Sequence, residues 1–345
     1  MVCAISSTIP VYAEDTPSIQ QDQPVAKEPI EDPVPLELKE EPKPMENVHV
    51  AIVAPSGYVQ PESRYEKGVA VLEERGFKVT SYYRPEQHYQ RFSGTDAARL
   101  HQIREAYKNP DVKLVMAVRG GYGASRLLKN LDFKQMAESG KVFVGYSDIT
   151  VIHMGLLKYG AVSFAGPMVS SDYGEDDPSQ YTIEHFEHVL THPTTTISWN
   201  AAGNPDMDVS GTFWGGNLAM MSHLVGTPWL PDIEGGILFL EDVSEHPYRI
   251  ERMLIQMDEA GILRKQKALI LGHFTDYRLN DEDNGYSFGT VLAWFRKRCP
   301  VPVIVGLPFG HIKEKVTLPV GAKGHLRVKD GQATLDLSDY PVVKP

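Results

Sequence analysis

Lys141 to Ile149 read KVFVGYSDI, and the chain runs at once into TVIHMGLLKYG, residues 150–160. The first stretch is a short apolar run that breaks in Gly-Tyr-Ser-Asp, and the second has helical spacing, so Ser147 falls on a sharp strand-to-helix turn. A turn of that kind sets a hydroxyl at the carboxyl edge of a sheet, among the free N–H groups of a helix start, which suits a nucleophile. A Ser-Asp pair before an apolar run more often does no more than cap the helix, so the reading needs support from elsewhere in the chain.

Upstream, a second apolar run, VKLVMAV (112–118), empties into Arg119-Gly120-Gly121-Tyr122-Gly123-Ala124-Ser125-Arg126. Three glycines in four positions permit positive φ and close backbone approach, so the loop can aim N–H groups at an anion. Its spacing fits neither the dinucleotide fingerprint nor the phosphate-binding loop. Further out, HVAIVAPSG (49–57) reads as a buried strand and turn, RYEKGVAVLEERGF (64–77) as an amphipathic helix closed by Gly76, and KVTSYY (78–83) as a strand. DAARLHQIREAYKNP (96–110) reads as a helix stopped by Pro110, and ASRLLKNL (124–131) as another. Strand and helix alternating at this spacing predict a parallel sheet covered on both faces, with its ligand crevice at the carboxyl ends of the strands, near Ser56, Gly121 and Ser147.

Residues 171–208 lose this rhythm and are rich in Asp, Thr and Pro, which predicts an interdomain connection between an N-terminal domain at 47–170 and a second block at 209–340. That block holds GTFWGGNLAMMSHLVGTPW (211–229), the strand GGILFLEDV (235–243), the helix YRIERMLIQMDEAGIL (248–263) and the strand KALILGHF (267–274). A helix at 288–298, the strand VPVIVGLPFGH (301–311) and an alternating stretch with a Lys-Asp-Gly turn at 315–338 complete it.

Bulk composition narrows the function. The 345 residues are 42% hydrophobic and 23% charged, enough for two ordinary domains, and no apolar run reaches the ~18 residues of a membrane span. Of the net charge of −11, residues 1–46 carry −7, which leaves 31 basic against 35 acidic residues in the body and no footprint for nucleic acid. Residues 1–46 also hold eight of the 25 prolines and read as a disordered leader and linker. Within it, VCAISSTIPVYA before Glu14 resembles the tail of a secretory signal without its basic start, so the expectation is a periplasmic protein, with the cytoplasm as the alternative. Cys3 and Cys299 form no disulfide framework.

A serine nucleophile needs a base and a group to orient the base. Glu241 ends the run GGILFLE, where a carboxylate must be paired or must face a crevice, and His311 ends VIVGLPFGH in the same manner, with His273, at the end of KALILGH, as a rival base. His185 and His188 share one face of a helix at a spacing metal sites use, but no third ligand accompanies them and a solvated face is the better reading. Trp214, beside two glycines, is a core aromatic or a wall of a substrate cleft.

RGGYGASRLL, GYSDIT, FAGPM, GTFWGGNLAMMSHLVGTPW, LFLEDVSEHPYRIERML and FGHIKEKVTLPVGA, in this order, resemble the L,D-carboxypeptidases of the serine peptidase type. These are the muramoyltetrapeptide carboxypeptidases, with the microcin-C self-immunity peptidases as relatives. The resemblance runs from about Val48 to about Leu337. It implies a flavodoxin-like N-terminal domain, a smaller β-rich α/β C-terminal domain, an active site at their interface and a homodimer. It places the nucleophile at Ser147, the glutamate at Glu241 and the histidine at His311, and so prefers His311 to His273. The implied reaction removes D-alanine from L-Ala-γ-D-Glu-meso-diaminopimelate-D-Ala, with no metal or other cofactor. The N–H groups of Gly121 and Asp148 are the candidate oxyanion donors. Arg119 is a candidate for the substrate carboxylate or a brace for its own loop, with Tyr122 and Trp214 as further substrate contacts. Two alternatives stand beside this reading: an immunity-type peptidase cutting aminoacyl-nucleotide conjugates, with the base stacked on Trp214, and a non-catalytic cell-wall-peptide binding protein.

Overall fold

The structure is a computed structural model that describes residues 45–344, so the signal-like stretch and nearly all of the expected leader lie outside the described residues. The body begins slightly earlier than expected: Met45 is buried and its carbonyl accepts the Val48 amide at 3.0 Å.

Two sheets form the core. The first is built from β1 (His49–Val53), β2 (Lys78–Ser81), β3 (Leu114–Ala117), β4 (Val142–Gly145) and β5 (Ser163–Ala165). They run parallel in the order β2-β1-β3-β4-β5, the flavodoxin-like arrangement. Every residue of β1, β3 and β4 is buried, which is why these strands read as unbroken apolar runs. Helices α1 (Ser63–Glu74), α2 (Asp96–Lys108), α3 (Phe133–Glu138) and α4 (Thr150–Lys158) connect them. Gly76 at φ +93° ends α1, as expected, with the Phe77 amide returning to Leu72 O at 3.0 Å. The stretch 124–131, expected as an α-helix, is instead a tighter 3₁₀ segment, Ala124–Asn130, entered from Gly123 at φ +148°.

Helix α5 (Gln180–Thr191), expected around His185 and His188, and strand β6 (Thr194–Asn200), which was not expected, both fall in the region read as the interdomain connection. TTTISWN alternates exposed and buried along its whole length, but three of its outward and inward positions are threonine, which hides the period from a hydrophobic count. β6 is the edge of a second sheet that also contains β7 (Met207–Asn217), β8 (Ile237–Val243), β9 (Ala268–Thr275) and β10 (Val303–Val305). Helix α6 (Leu218–Leu224) packs against β7 and β8, α7 (Pro247–Glu259) packs on α6, and α8 (Phe288–Arg296) packs on α7 and stacks Phe288 on Phe274 of β9.

Past β10 come β11 (Leu318–Val320), β12 (Lys323–Lys329) and β13 (Gln332–Ser338). The second sheet runs β10-β9-β8-β7-β12-β13-β6. β7 joins its two halves: Met207–Thr212 pairs antiparallel with β12, and Phe213–Asn217 pairs parallel with β8. The change in pairing explains its burial, partly exposed in the first half and wholly buried in FWGGN. The expected Lys-Asp-Gly hairpin is present, with Asp330 at φ +51° and Gly331 at φ +75°.

β11 crosses back to the first sheet, where it pairs antiparallel with β5 as an edge strand that tolerates Pro319. The two domains are therefore interlocked: β6 precedes the expected boundary at 209, and β11 returns across it.

Candidate active site

The turn after β4 is held open from below. Gly145, at φ +156°, offers its carbonyl to His153 Nε2 at 2.7 Å, and His153 Nδ1 meets Ser163 Oγ at 2.8 Å. Burial holds His153 down at about 4, so it is a neutral core histidine that braces the turn. Ser147 then sits at φ +62°, a left-handed conformation that a serine adopts at a cost of order 1 kcal/mol or more, and it starts the 3₁₀ turn leading into α4. This is the strand-to-helix geometry expected from the sequence, and the residue is nearly buried at 9% exposure.

The glycine-rich loop after β3 presses on it. A Cβ at Gly120 would lie 2.8 Å from Ser147 Cβ and 3.1 Å from Oγ, so only glycine fits there. Gly120 was not singled out by the sequence beyond its place among three glycines. Gly121 stands at φ +87°. Arg99, fully buried, donates to Gly123 O at 2.9 Å and to Pro55 O, which locks this loop to the one after β1. The same two loops are joined by Arg119, whose Nη1 donates to Tyr58 O at 3.1 Å. Arg119 therefore braces, as one of its two expected roles; among the described residues no carboxylate pairs with it. Tyr122 is about half exposed on the rim, 6.0 Å from the Phe92 ring.

Gly120→Ala is expected to displace Ser147, lowering kcat by ~10²-fold or more, because sub-ångström placement of reacting groups carries much of the rate. Steady-state kinetics beside a thermal melt checks this, since overpacking also costs stability of roughly 1–3 kcal/mol.

From the second sheet, Glu241 on β8 is fully buried. Its Oε2 accepts from His311 Nδ1 at 2.8 Å and its Oε1 from Asn217 Nδ2 at 3.3 Å. The sequence expectation of a paired carboxylate is met. The β8–β9 register shifts between Leu240 and Asp242, and this irregularity lets two consecutive carboxylates reach the same amide: Asn217 Nδ2 also donates to Asp242 Oδ1 at 2.9 Å. Burial, then the charge of Glu241, pushes Asp242 up to about 7, although the Asn217, Val243 and Ala219 donors oppose this. The Asn217 backbone amide donates to Thr150 Oγ1 at 3.0 Å, tying the helix after Ser147 to the strand beside Glu241. Asn217 and Asp242 escaped the sequence reading, though an Asn closing FWGGN before a helix is an N-cap signal, and it does cap α6.

His311 lies in the loop after β10, partly exposed beside a cavity of about 500 Å³. The Tyr146 ring packs edge-on to its imidazole at 5.1 Å, which brings the residue before Ser147 against the histidine. Burial pulls the imidazole down, but the hydrogen bond and charge of Glu241, with Asp242 behind it, outweigh burial and raise it above its ordinary value. Asp148 is pushed up by burial, against the pull of its own amide, of His311, of the Ser147 hydroxyl and of Arg119. Ser147, Asp148, Glu241 and His311 thus share one locality, with His311 Nε2 turned away from its bond to Glu241.

Two expectations are corrected, and the rival base His273 is not the glutamate's partner. Trp214 is 1% exposed and its indole N–H donates to Gln266 Oε1 at 2.9 Å, so it is a core residue and offers no face for a substrate or a base to stack on. His185 is no solvated face: it is 1% exposed, accepts the Thr317 amide at 3.0 Å and is held down to about 3 by burial, because α5 packs into the interior. His273 supports the backbone of the His311 loop, its amide donating to Phe309 O at 2.8 Å, whereas the glutamate is bonded to His311.

No described helix is long and apolar enough to cross a membrane. Two family models match the chain, the LD-carboxypeptidase N-terminal domain at residues 50–166 and the LD-carboxypeptidase C-terminal domain at 210–326. A crystal structure of muramoyltetrapeptide carboxypeptidase from Oxalobacter formigenes is similar at 55% identity and a TM-score of 0.83, covering 86% of this chain and all of that one. The murein tetrapeptide carboxypeptidase of Pseudomonas aeruginosa is 29% identical over 79% of this chain and 91% of its own length. The microcin C7 self-immunity protein of Escherichia coli is 28% identical over 77% and 86%. With both of its sheets matched and its relatives spanned nearly end to end, the chain belongs to the LD-carboxypeptidase family.

Proposed function

We propose that the protein is a serine-type carboxypeptidase that removes the terminal D-alanine from the murein tetrapeptide L-Ala-γ-D-Glu-meso-diaminopimelate-D-Ala. The observation that carries this is the buried Glu241–His311 pair, packed through Tyr146 against a serine held at positive φ. In this reading His311 Nε2 takes the proton of Ser147 Oγ, while Glu241 at Nδ1 fixes the ring and stabilises the imidazolium. The oxygen attacks the carbonyl before D-alanine, His311 returns the proton to the leaving amine, and water activated by His311 releases the acyl group. The developing oxyanion is assigned to the Gly121 amide, which donates to no protein acceptor among the described residues, and to the Asp148 amide, which its own carboxyl also engages. Arg119, which forms no ion pair among the described residues, receives the terminal carboxylate, and Tyr122 borders the entrance. The names of the relatives from Oxalobacter formigenes and Pseudomonas aeruginosa support the tetrapeptide substrate. A homodimer and a periplasmic site of action remain part of the proposal, the first supported by the family resemblance and the second by the signal-like stretch at 2–13.

Mass spectrometry of the tetrapeptide after incubation with the protein tests the substrate. Loss of one D-alanine is expected, and an intact tetrapeptide would remove this reading in favour of an immunity-type conjugate.

The pH profile follows from the imidazole. His311 must be neutral to accept a proton, and its proton affinity is raised, so kcat/KM is present above its folded pKa and is lost as pH falls through it. The acid limb is expected above the ordinary histidine value of 6.5, measured from initial rates at low substrate across the neutral range.

A further inference from the structure

The loop carrying His311 is fastened to the nucleophile side of the molecule by a buried ion pair that the proposed reaction does not use. The Lys315 ammonium pairs with Asp172, and the two side chains are only 3% and 4% exposed. Asp172 lies in the turn after β5, where its other oxygen accepts the Met168 amide at 2.8 Å. The Lys315 amide donates to Thr182 Oγ1 at 3.0 Å, and that hydroxyl donates to Lys313 O at 3.0 Å, so the first turn of α5 grips the loop as well. The ammonium stands 5.1 Å from the centre of the Tyr146 ring, the ring that also packs on the His311 imidazole. One cation thereby touches the residue before the nucleophile and belongs to the loop of the histidine.

Stability is a poor reason for such a pair. Taking two charges out of water costs about as much as their attraction returns, and apolar residues of the same volume often serve as well; fixing one arrangement among several is the better-attested use. Around it, Arg64–Glu175, Lys67–Asp176 and Lys313–Asp177 are exposed pairs of little weight, so among these ion pairs the buried one, together with the Thr182 hydroxyl, sets where the loop sits.

We propose that Lys315, held by Asp172, is a positioning residue for the reaction: it seats the His311 loop against the Tyr146–Ser147 turn and presents a positive charge to the imidazole. The inference rests on the serine–histidine reading above. Among the described residues the charged and titratable groups facing His311 are Glu241 and Asp242 from β8, Asp148 and Tyr146 from the nucleophile turn, and Lys313 and Lys315 from its own loop, with Asp172 behind Lys315 and Glu175, Asp176 and Asp177 lining the same cavity. Lys315 opposes the carboxylates' hold on the imidazole proton. Without it, the imidazole retains its proton to higher pH.

The test compares the full chain with Lys315→Met, Lys315→Arg and the double variant Lys315→Met/Asp172→Asn, in which no charge is orphaned and the side-chain oxygen still accepts the Met168 amide. Five quantities are measured: tetrapeptide kcat and KM, the pH profile of kcat/KM, the rate of Ser147 labelling by a fluorophosphonate, and the melting temperature. Lys315→Met is expected to lower kcat and the labelling rate by ~10²-fold with KM little changed, as for a displaced reacting group, and to move the acid limb to higher pH. Lys315→Arg should recover most of the rate. The double variant should melt near the wild type and still be slow. Recovery of kcat together with melting temperature in the double variant would overturn the proposal, and so would Lys315→Met with an unchanged rate and pH profile. The wild type judges the parent reading separately. Labelling without tetrapeptide cleavage would remove the substrate and leave the ratio of labelling rates to decide the role of Lys315, whereas no labelling of the wild type would remove the serine mechanism and this inference with it.

Discussion

Ser147→Ala is expected to abolish tetrapeptide turnover, lowering kcat by ~10⁴- to 10⁶-fold, the range seen when the nucleophile of a serine–histidine–carboxylate set is removed. The fold should not suffer. Ser147 has its Cβ against Gly120 and its backbone at φ +62°, and alanine keeps that Cβ and that φ, so nothing new is strained. Ser147→Gly sharpens the point, because glycine takes positive φ freely: this variant is expected to be as inactive as alanine yet more stable by ~1 kcal/mol, although the greater freedom of its unfolded chain offsets part of the gain. Single-turnover assays with fluorophosphonate labelling, run beside chemical denaturation, separate the two effects. An alanine variant that still releases D-alanine at a rate within tenfold of wild type, a bound set on the scale of the expected loss, would take Ser147 out of the reaction.

The second large effect is expected at Glu241. Glu241→Gln keeps the volume and removes the charge, and kcat should fall by ~10³- to 10⁴-fold, since an amide neither holds the Nδ1–H tautomer nor stabilises the imidazolium. The acid limb of kcat/KM should move down at the same time, because the hydrogen bond and charge of Glu241 are what raise His311. Glu241→Ala is a different experiment. It leaves His311 Nδ1 without its acceptor at a fully buried position and opens a cavity, so a stability loss of roughly 2–4 kcal/mol accompanies the loss of rate. Kinetics and denaturant midpoints for both variants check this, and a glutamine variant with wild-type kcat would remove the glutamate from the mechanism.

Much of this was legible in the residues. VKLVMAV and KVFVG are buried on both faces, so their composition shows both the strand and the parallel sheet, and the turn at Gly-Tyr-Ser-Asp is a local matter of glycine, positive φ and a helix start. Glu241 was visible as a polar residue late in an apolar strand, where burial demands a partner, whereas His311, expected to end a strand over 301–311, stands in the loop beyond the short β10. Even the hairpin at Asp330-Gly331 follows from backbone preferences of two neighbours. What these features share is short range: each depends on a few adjacent residues and a period of two or of 3.6.

Long-range pairing was decided only in three dimensions. TTTISWN is a strand because β13 lies beside it, and Leu318–Val320 joins the first sheet because β5 has a free edge, so neither sheet is built from one continuous stretch of chain. Trp214 and His185 look the same in sequence whether they face solvent or the interior; Gln266 and the Thr317 amide, more than fifty residues away in each case, settle it. The sharing of one Asn217 amide by Glu241 and Asp242 and the Lys315–Asp172 pair belong to the same class. The sequence by itself determined which chemical groups stand at the ends of which strands, because backbone propensity and hydrophobic period are local; which of those groups meet was left to tertiary packing, because a hydrogen bond or an ion pair depends on a distance that no local pattern encodes.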